Sequence, residues 1–263
     1  MQDQHAENGF DEIVGESSQL KQTLRLVIKV AQSDTPVLIL GEAGSGKELI
    51  ARAIHRISAR RNASFLKVNC EATASRMLES DLFGQERGNE GESRKIGHLE
   101  LANPGILFLD EIADVPMTLQ AKLLRLLEHR EFERLGGTHS IRTNVRLIAT
   151  TKYDLGERVA EQMFLGDLYD KLNVFPIQVP PLRERRDDIP LLAHYFRQKF
   201  ARRMNKPVES ISAETTNWLT NSDWPGNVRQ LENLIERSVA LTDGVALQVS
   251  NAGLRAESAV ETG

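Results

Sequence analysis

The 263-residue sequence has a single cysteine, Cys70, which excludes an internal disulfide framework and fits a reducing compartment. No apolar run approaches the length of a membrane span. The opening residues MQDQHAENGF lack the apolar core of a signal peptide. The expectation is a soluble, cytoplasmic protein with no membrane partner. Basic charge is also short: 33 Lys and Arg face 37 Asp and Glu, for a net −4, so no overall positive field points to nucleic acid. Internal repeats and low-complexity tracts are missing. What is present, 40% hydrophobic and 27% charged residues, is the chemistry of a globular chain, not a disordered one. The length suffices for one large α/β domain and a small one.

Leu20, Leu24, Val27, Ile28 and Ala31 recur at helical spacing. Pro36 then opens PVLIL, a short continuous apolar run of the kind that forms a strand buried on both faces. A second helix (Leu49, Ile50, Ala53, Ile54, Ile57) leads to a strand from Phe65 to Val68 and another in GILFL, 105–109. A helix through Leu119, Leu123, Leu124 and Leu127 precedes a β-hairpin from Phe132 to Ile141, broken at Gly136-Gly137. VRLIAT (145–150) and PIQVP (176–180) complete the strands. Strands alternating with helices imply an α/β fold with a parallel sheet flanked by helices. Beyond PPLRERRDD (180–188) only helices are expected, at about 189–203, 212–221 and 227–241. Asn227 is placed to cap the last, with Gln230 completing a capping box. The chain thus divides into an N-terminal tail (1–11), an α/β subdomain (12–181), a small helical subdomain (182–250) and a C-terminal tail (251–263), both tails fraying.

Gly41-Glu42-Ala43-Gly44-Ser45-Gly46-Lys47 follows a buried strand and opens a helix, the context that makes G-x-x-x-x-G-K a P-loop. Its glycines let backbone N–H groups turn towards phosphates at a helix N-terminus, and Lys47 adds a point charge. Glu48 stands where the general P-loop has Ser or Thr for magnesium. The metal is then held through water, or mainly by another carboxylate. Asp110-Glu111 ends an apolar strand in the Walker B arrangement, Asp110 facing Mg²⁺ and Glu111 placed to polarise an attacking water. Taken alone, an acidic pair after a strand is as often a helix cap. Asn69 ends the strand 65–68 and is expected on the neighbouring edge, within reach of Glu111. Thr151 ends strand 145–150 and is expected on the γ-phosphate side. Arg229 opens the last helix and is expected to reach back over the nucleotide, although an exposed helical arginine is usually only solvated.

Together GEAGSGKE, LESDLFG, ILFLDEI, LQAKLLRLLEHREFERLGG, LNVFPIQVPPLRER, DDIPLL and WPGNVRQLEN resemble the AAA+ central domain of bacterial enhancer-binding proteins, the sigma-54-dependent transcriptional activators. The resemblance covers about residues 11–250 and is strongest to the formate-hydrogenlyase and nitrogen-regulator branches. Glu48 after the P-loop lysine is usual there. The resemblance implies a P-loop ATPase with a helical lid, binding ATP or ADP with Mg between subunits of a ring, usually a hexamer. It assigns Asn69 to a glutamate switch, Arg229 to sensor II, and Ile13, Val14 and Gly15 to the edge of the adenine pocket. It implies the sigma-54 RNA polymerase holoenzyme as partner, with DNA contacted only through a domain outside these 263 residues.

Three positions depart from that pattern. Where the family usually reads G-A-F-T-G-A, this chain has Gly88, Asn89, Glu90, Gly91, Glu92 and Ser93, without the aromatic and threonine that meet sigma-54. One lost buried Phe contact forfeits on the order of 2 kcal/mol. Arginines that reach a neighbour's site are replaced by Leu165 and Lys171, and Lys171 keeps charge without the bidentate fork. Removal of a trans arginine slows phosphoryl transfer about a thousandfold or more. Lys152 takes the place of the usual sensor I asparagine. Two functions fit: a weakly hydrolysing sigma-54-activator ATPase with an altered contact loop, or a nucleotide-responsive assembly module that regulates transcription without remodelling sigma-54.

Overall fold

A computed structural model of the chain describes residues 9–71, 75–86 and 94–247. The chain forms two compact units. The first holds the stretch ending at Asp11, Thr23–Glu42 and Lys47–Val179, and the second holds Glu12–Gln22, Ala43–Gly46 and the chain from Pro180. Most of the expected stretch 12–181 falls in the first unit and 182–250 falls in the second, with Glu12–Gln22 and Ala43–Gly46 grouped in the second as well. Composition marks where a pattern changes along the chain, whereas packing gathers segments that are distant in it. Residues 1–8 and 251–263 of the expected tails lie outside the described residues. The expectation of fraying fails at Phe10, which is buried.

In the first unit, β1 (Val37–Leu40), β2 (Phe65–Asn69), β3 (Ile106–Asp110), β6 (Arg146–Thr151) and β7 (Pro176–Gln178) form a parallel sheet in the order β2-β3-β6-β1-β7. The hairpin strands β4 (Glu131–Glu133) and β5 (Ser140–Arg142) pair separately and antiparallel. The three inner sheet strands are the continuous apolar runs VLIL, ILFLD and RLIATT, as double-sided burial demands. The outer strands are mixed. FLKVN exposes Lys67 and Asn69, and β7 opens with Pro176, which an edge strand tolerates because one ladder N–H is dispensable there.

Strand order positions the chemistry. β1 lies between β6 and β7, with β3 and β2 beyond β6, so the order switches beside β1, where open α/β sheets bind ligands at strand C-termini. Leu40 is in register with Thr151, and Leu109 with Ala149. The end of β6 therefore stands between the turn after β1 and the carboxylates after β3. Helices α1 (Ser18–Ala31), α2 (Lys47–Ile57) and α5 (Met117–His129) follow the apolar periodicity. α3 (Ser75–Phe83), α4 (His98–Leu101), α6 (Leu155–Ala160) and α7 (Gly166–Leu172) are additional. α6 had a local signal, since the Asp154 carboxylate accepts the Gly156 and Glu157 N–H groups as an N-cap.

In the second unit α8 (Ile189–Met204), α9 (Ala213–Asn221) and α10 (Asn227–Leu241) enclose Leu192, Phe196, Phe200, Trp224, Leu231 and Ile235. A two-residue parallel pairing of Ser210–Ile211 with Ala246–Leu247 adds strand where none was expected, too short to leave a periodic pattern. The expected cap is also corrected. Gly226, not Asn227, is the N-cap of α10, and its N–H is bound by Gln230 Oε1 at 3.0 Å. Asn227 is fully buried at φ 54° and serves elsewhere.

Arg146 is the unexpected charge in the core of the first unit. Its guanidinium donates to the carbonyls of Val30 (2.8 Å) and Thr35 (3.1 Å), and to Ala31 at 3.4 Å, which ends α1. Val30 and Ala31 close α1, whose last carbonyls have no intrahelical partner, and Val30 O also accepts the Ser33 N–H and Oγ. Burial pulls its pKa down to about 10. Arg146→Met keeps the stem but removes the guanidinium donor from Ala31 O and Thr35 O, while Val30 O keeps Ser33, and is expected to cost about 2–4 kcal/mol. Urea denaturation measures it, and a loss below about 1 kcal/mol would show that water replaces the guanidinium.

Candidate functional site

In the first unit the chain leaves β1 at Gly41, whose N–H bonds Thr151 O at 3.2 Å. Lys47 opens α2 and is buried. Its Nζ donates to Gly41 O (2.8 Å) and Glu42 O (3.3 Å) and lies 2.9 Å from Glu111 Oε1. Glu111 adopts the left-handed conformation at φ 58°, uncommon for a non-glycine residue and held only where surroundings enforce it. Two bonds do so. Its N–H reaches Thr150 Oγ1 at 3.1 Å, and its Oε2 accepts the Lys152 N–H at 2.9 Å. Thr150 Oγ1 in turn donates to Asp110 Oδ1 at 2.7 Å, so one hydroxyl orients both acids.

Thr151 is fully buried, and its hydroxyl bonds the Tyr153 backbone. Thr150, one residue earlier, carries the contact to the acids after β3, because side chains alternate along a strand. Asn69 lies beside Asp110 in register, as expected. Its Oδ1 accepts the Glu71 N–H at 3.0 Å, while Glu111 is held by Lys47 and Lys152. Glu71 receives Lys152 Nζ at 2.9 Å, which holds that ammonium above its usual range. Between them Cys70 is buried, and desolvation together with Asp110, Asp114 and Glu111 pushes its thiol up to about 12. It is chemically inert.

Glu48 turns towards Arg52 and Lys67, with Lys67 Nζ at 2.6 Å from Oε2 and also 2.9 Å from Asp110 Oδ2. Burial opposes ionisation of Glu48, but hydrogen bonds from Lys67 and Arg52 outweigh it and hold the carboxyl below its usual range. Burial likewise opposes the Lys67 charge, and its bonds to Glu48 and Asp110 raise it regardless. Among the described residues no group of three or more His, Cys, Asp or Glu is placed to hold a metal ion. The two carboxylates converging on one cation fit magnesium that takes its remaining oxygens from water and phosphate.

Lys171 is exposed on α7, 3.7 Å from Glu128 Oε1, and Leu165 is the N-cap of that helix. Gly88, Asn89, Glu90, Gly91, Glu92 and Ser93 lie outside the described residues. Their flanks are described and tightly built. Gln85 bridges Lys95 and Leu135, and Arg134 grips Glu100 in a fork (2.8 and 2.6 Å) and bonds Glu86. Gly97 is required there, since a Cβ would fall 2.3 Å from Gly84 N.

In the second unit Ala43–Gly46 is pinned from three directions. Ala43 O accepts Asn227 Nδ2 at 3.1 Å, Gly44 O accepts the N–H groups of Val228 (3.0 Å) and Arg229 (3.3 Å), and Ser45 O accepts Arg185 Nη2 at 2.7 Å. Gly44 sits at φ 73°, and a Cβ there would meet Gly226 O at 2.4 Å. Asn227 Oδ1 also accepts the Leu182 N–H at 2.7 Å. Burial lowers the Arg185 pKa. The Ser45 hydroxyl is buried with no hydrogen-bond partner among the described residues. Gly46 continues the turn at φ 107°. Ile13, Val14 and Gly15 are half-buried, with Val14 against the helical core. Asp188 fastens this segment by accepting from Glu16 N (2.6 Å), Ser17 N (2.8 Å) and Ser17 Oγ (2.7 Å). Arg229 is exposed. Thr150, Lys67, Arg185 and Asp188 were missed from sequence. The last two lie in a charge run that read only as a boundary.

The Sigma-54 interaction domain family matches residues 13–178, and the AAA+ ATPase lid domain family matches 183–259. The chain is 55% identical over 248 residues to the formate hydrogenlyase transcriptional activator FhlA of Escherichia coli, covering 94% of this chain and 36% of that protein. It is 44% identical over 237 residues to the Nif-specific regulatory protein of Herbaspirillum seropedicae, covering 89% and 44%. It thus spans well under half the length of these curated relatives. Among solved structures it resembles NtrX from Brucella abortus in complex with ATP (TM-score 0.83, 41% identity, 88% of this chain and 51% of that one). It likewise resembles NtrX in complex with ADP (TM-score 0.84, 40% identity, 92% and 55%).

The double role of Thr150 is testable without any ligand. Thr150→Val leaves Asp110 Oδ1 and the Glu111 N–H without their shared partner and is expected to cost about 1–3 kcal/mol, against less than about 1 for Thr150→Ser. Urea midpoints decide it, and equal values for the two variants would contradict the assignment.

Proposed function

The chain belongs to the Sigma-54 interaction domain family, and on that premise we propose that it is the ATP-driven module of a sigma-54-dependent transcriptional activator. The observation that carries the reading is the P-loop lysine, Lys47, paired at 2.9 Å with the second carboxylate of an Asp-Glu strand end. A buried ammonium and carboxylate in that arrangement wait for a partner with more negative charge than a glutamate. NtrX captured with ATP and with ADP supports nucleotide as that partner.

In this proposal the backbone of Gly41–Glu48 cradles the phosphates, and the buried Ser45 hydroxyl gains a phosphate acceptor. Lys47 exchanges Glu111 for the terminal phosphates. Glu111, so released, orients water for in-line attack, and Asn69 restrains it until then. Asp110, with Glu48 through water, would hold Mg²⁺, whose chemistry is to neutralise charge between the β- and γ-phosphates. Ile13, Val14 and Gly15 border the adenine, and Arg229 serves as sensor II. Thr151 stands on the γ-phosphate side, and Thr150 orders the acids.

Turnover is slow because Leu165 removes one arginine and Lys171 substitutes another with a charge that lacks a fork. The module works as a ring, with the RNA polymerase holoenzyme as client. The Gly88–Ser93 tip forfeits the usual sigma-54 contact, while its stem is braced by Arg134. DNA contact belongs to another part of the activator.

Calorimetric titration tests binding: the parent takes up ATP, and Lys47→Ala weakens it at least about tenfold. Glu111→Gln retains binding but lowers steady-state turnover about a hundredfold or more. Specific activity rises with protein concentration if sites complete one another in a ring. No ATP heat, with Lys47→Ala indistinguishable from the parent, sinks the proposal. A turnover flat with concentration sinks the ring.

A further inference from the structure

Glu48, Lys67 and Asp110 form a chain of contacts that phosphate binding alone does not require. Lys67 stands on edge strand β2 in register with Phe108 of β3, and its Nζ lies 5.9 Å from the centre of that ring. The stem is thereby aimed along the strand ends, which sets the ammonium 2.6 Å from Glu48 Oε2 and 2.9 Å from Asp110 Oδ2. The other oxygen of each acid is already engaged, Glu48 Oε1 by Arg52 and Asp110 Oδ1 by Thr150. One oxygen from each acid therefore converges on a single monovalent cation. The same two acids are those the proposed function gives to magnesium, Glu48 through water. An ammonium and a dication cannot share that point, because their repulsion at contact in a partly shielded place is large.

We propose that Lys67 is a resident counter-ion for Glu48 and Asp110 that a divalent metal must displace, and so a positioning residue that sets how strongly nucleotide binding depends on the metal. The proposal rests on the nucleotide reading above. With the ammonium in place beside Arg52 the two acids are balanced, and the charge of metal-free ATP approaches at modest penalty. When a metal takes the acids, the Lys67 head has an exit, since its side chain is one-third exposed on the sheet edge. Without that charge two carboxylates face each other, which favours a dication and disfavours bare ATP.

Lys67→Met keeps a stem over Phe108 and removes the charge, and Lys67→Arg keeps the charge. Circular dichroism melting confirms that each is folded, and Lys67→Gln is read in place of a Met variant that is not. ATP affinity is measured calorimetrically in EDTA and in Mg²⁺, and Mn²⁺ uptake without nucleotide is measured by paramagnetic resonance. The ratio of Kd in EDTA to Kd in Mg²⁺ is expected to widen about tenfold or more in Lys67→Met and to stay within about twofold in Lys67→Arg. Lys67→Met is also expected to take up Mn²⁺ where the parent does not. An unchanged or narrowed ratio in folded Lys67→Met overturns the proposal and leaves the nucleotide reading standing. Absence of ATP binding by the parent in both media overturns the two together.

Discussion

The structure depends on one electrostatic constraint: several carboxylates gather at the C-terminal ends of apolar strands, where each needs a cation. Lys47 meets Glu111, Lys67 meets Glu48 and Asp110, and Lys152 meets Glu71. Three ammonium groups answer four acids. Removing one partner of a shielded pair is costly because the other charge remains desolvated, whereas exchanging it for a stronger partner is not. Each acid of the cluster thus keeps a cationic partner, and the arrangement favours exchange of partners over their loss.

The backbone around the cluster is held by equally specific means. Glu111 keeps its left-handed conformation because Thr150 and Lys152 supply bonds on either side of it. In the second unit, Asn227, Arg185 and the backbone N–H groups at the start of α10 take up the carbonyls of Ala43, Gly44 and Ser45 in turn. Carbonyls taken up by a neighbouring segment fix the course of such a turn, which is what a phosphate loop requires of its backbone. Arg134 holds Glu86 and Glu100 by the same kind of pairing.

The apolar runs VLIL, ILFLD and RLIATT announced the inner strands because a strand buried on both faces has no freedom to be polar. Lys67 was overlooked for the converse reason. It lies on an edge strand, where a lysine is ordinarily a solvated residue, and nothing local reveals a carboxylate nineteen positions earlier in the chain. Adjacent threonines such as Thr150 and Thr151 are equivalent in a sequence, and only strand register tells which of the two meets Asp110. Asn227 was read as a cap because that is what a buried asparagine before a helix most resembles. Its partners Leu182 and Ala43 are 45 and 184 residues away.

The sequence by itself determined the fold class, the P-loop, the acid pair that ends β3 and the helical second unit. Each of those is written in contiguous residues whose spacing follows the geometry of a helix, a strand or a turn. Only the tertiary structure decided which threonine orders the acids, which lysine each acid holds, and that Ala43–Gly46 groups with the helical unit. Those outcomes follow from strand order and from bonds between distant segments, and a local pattern carries no record of what packs against it.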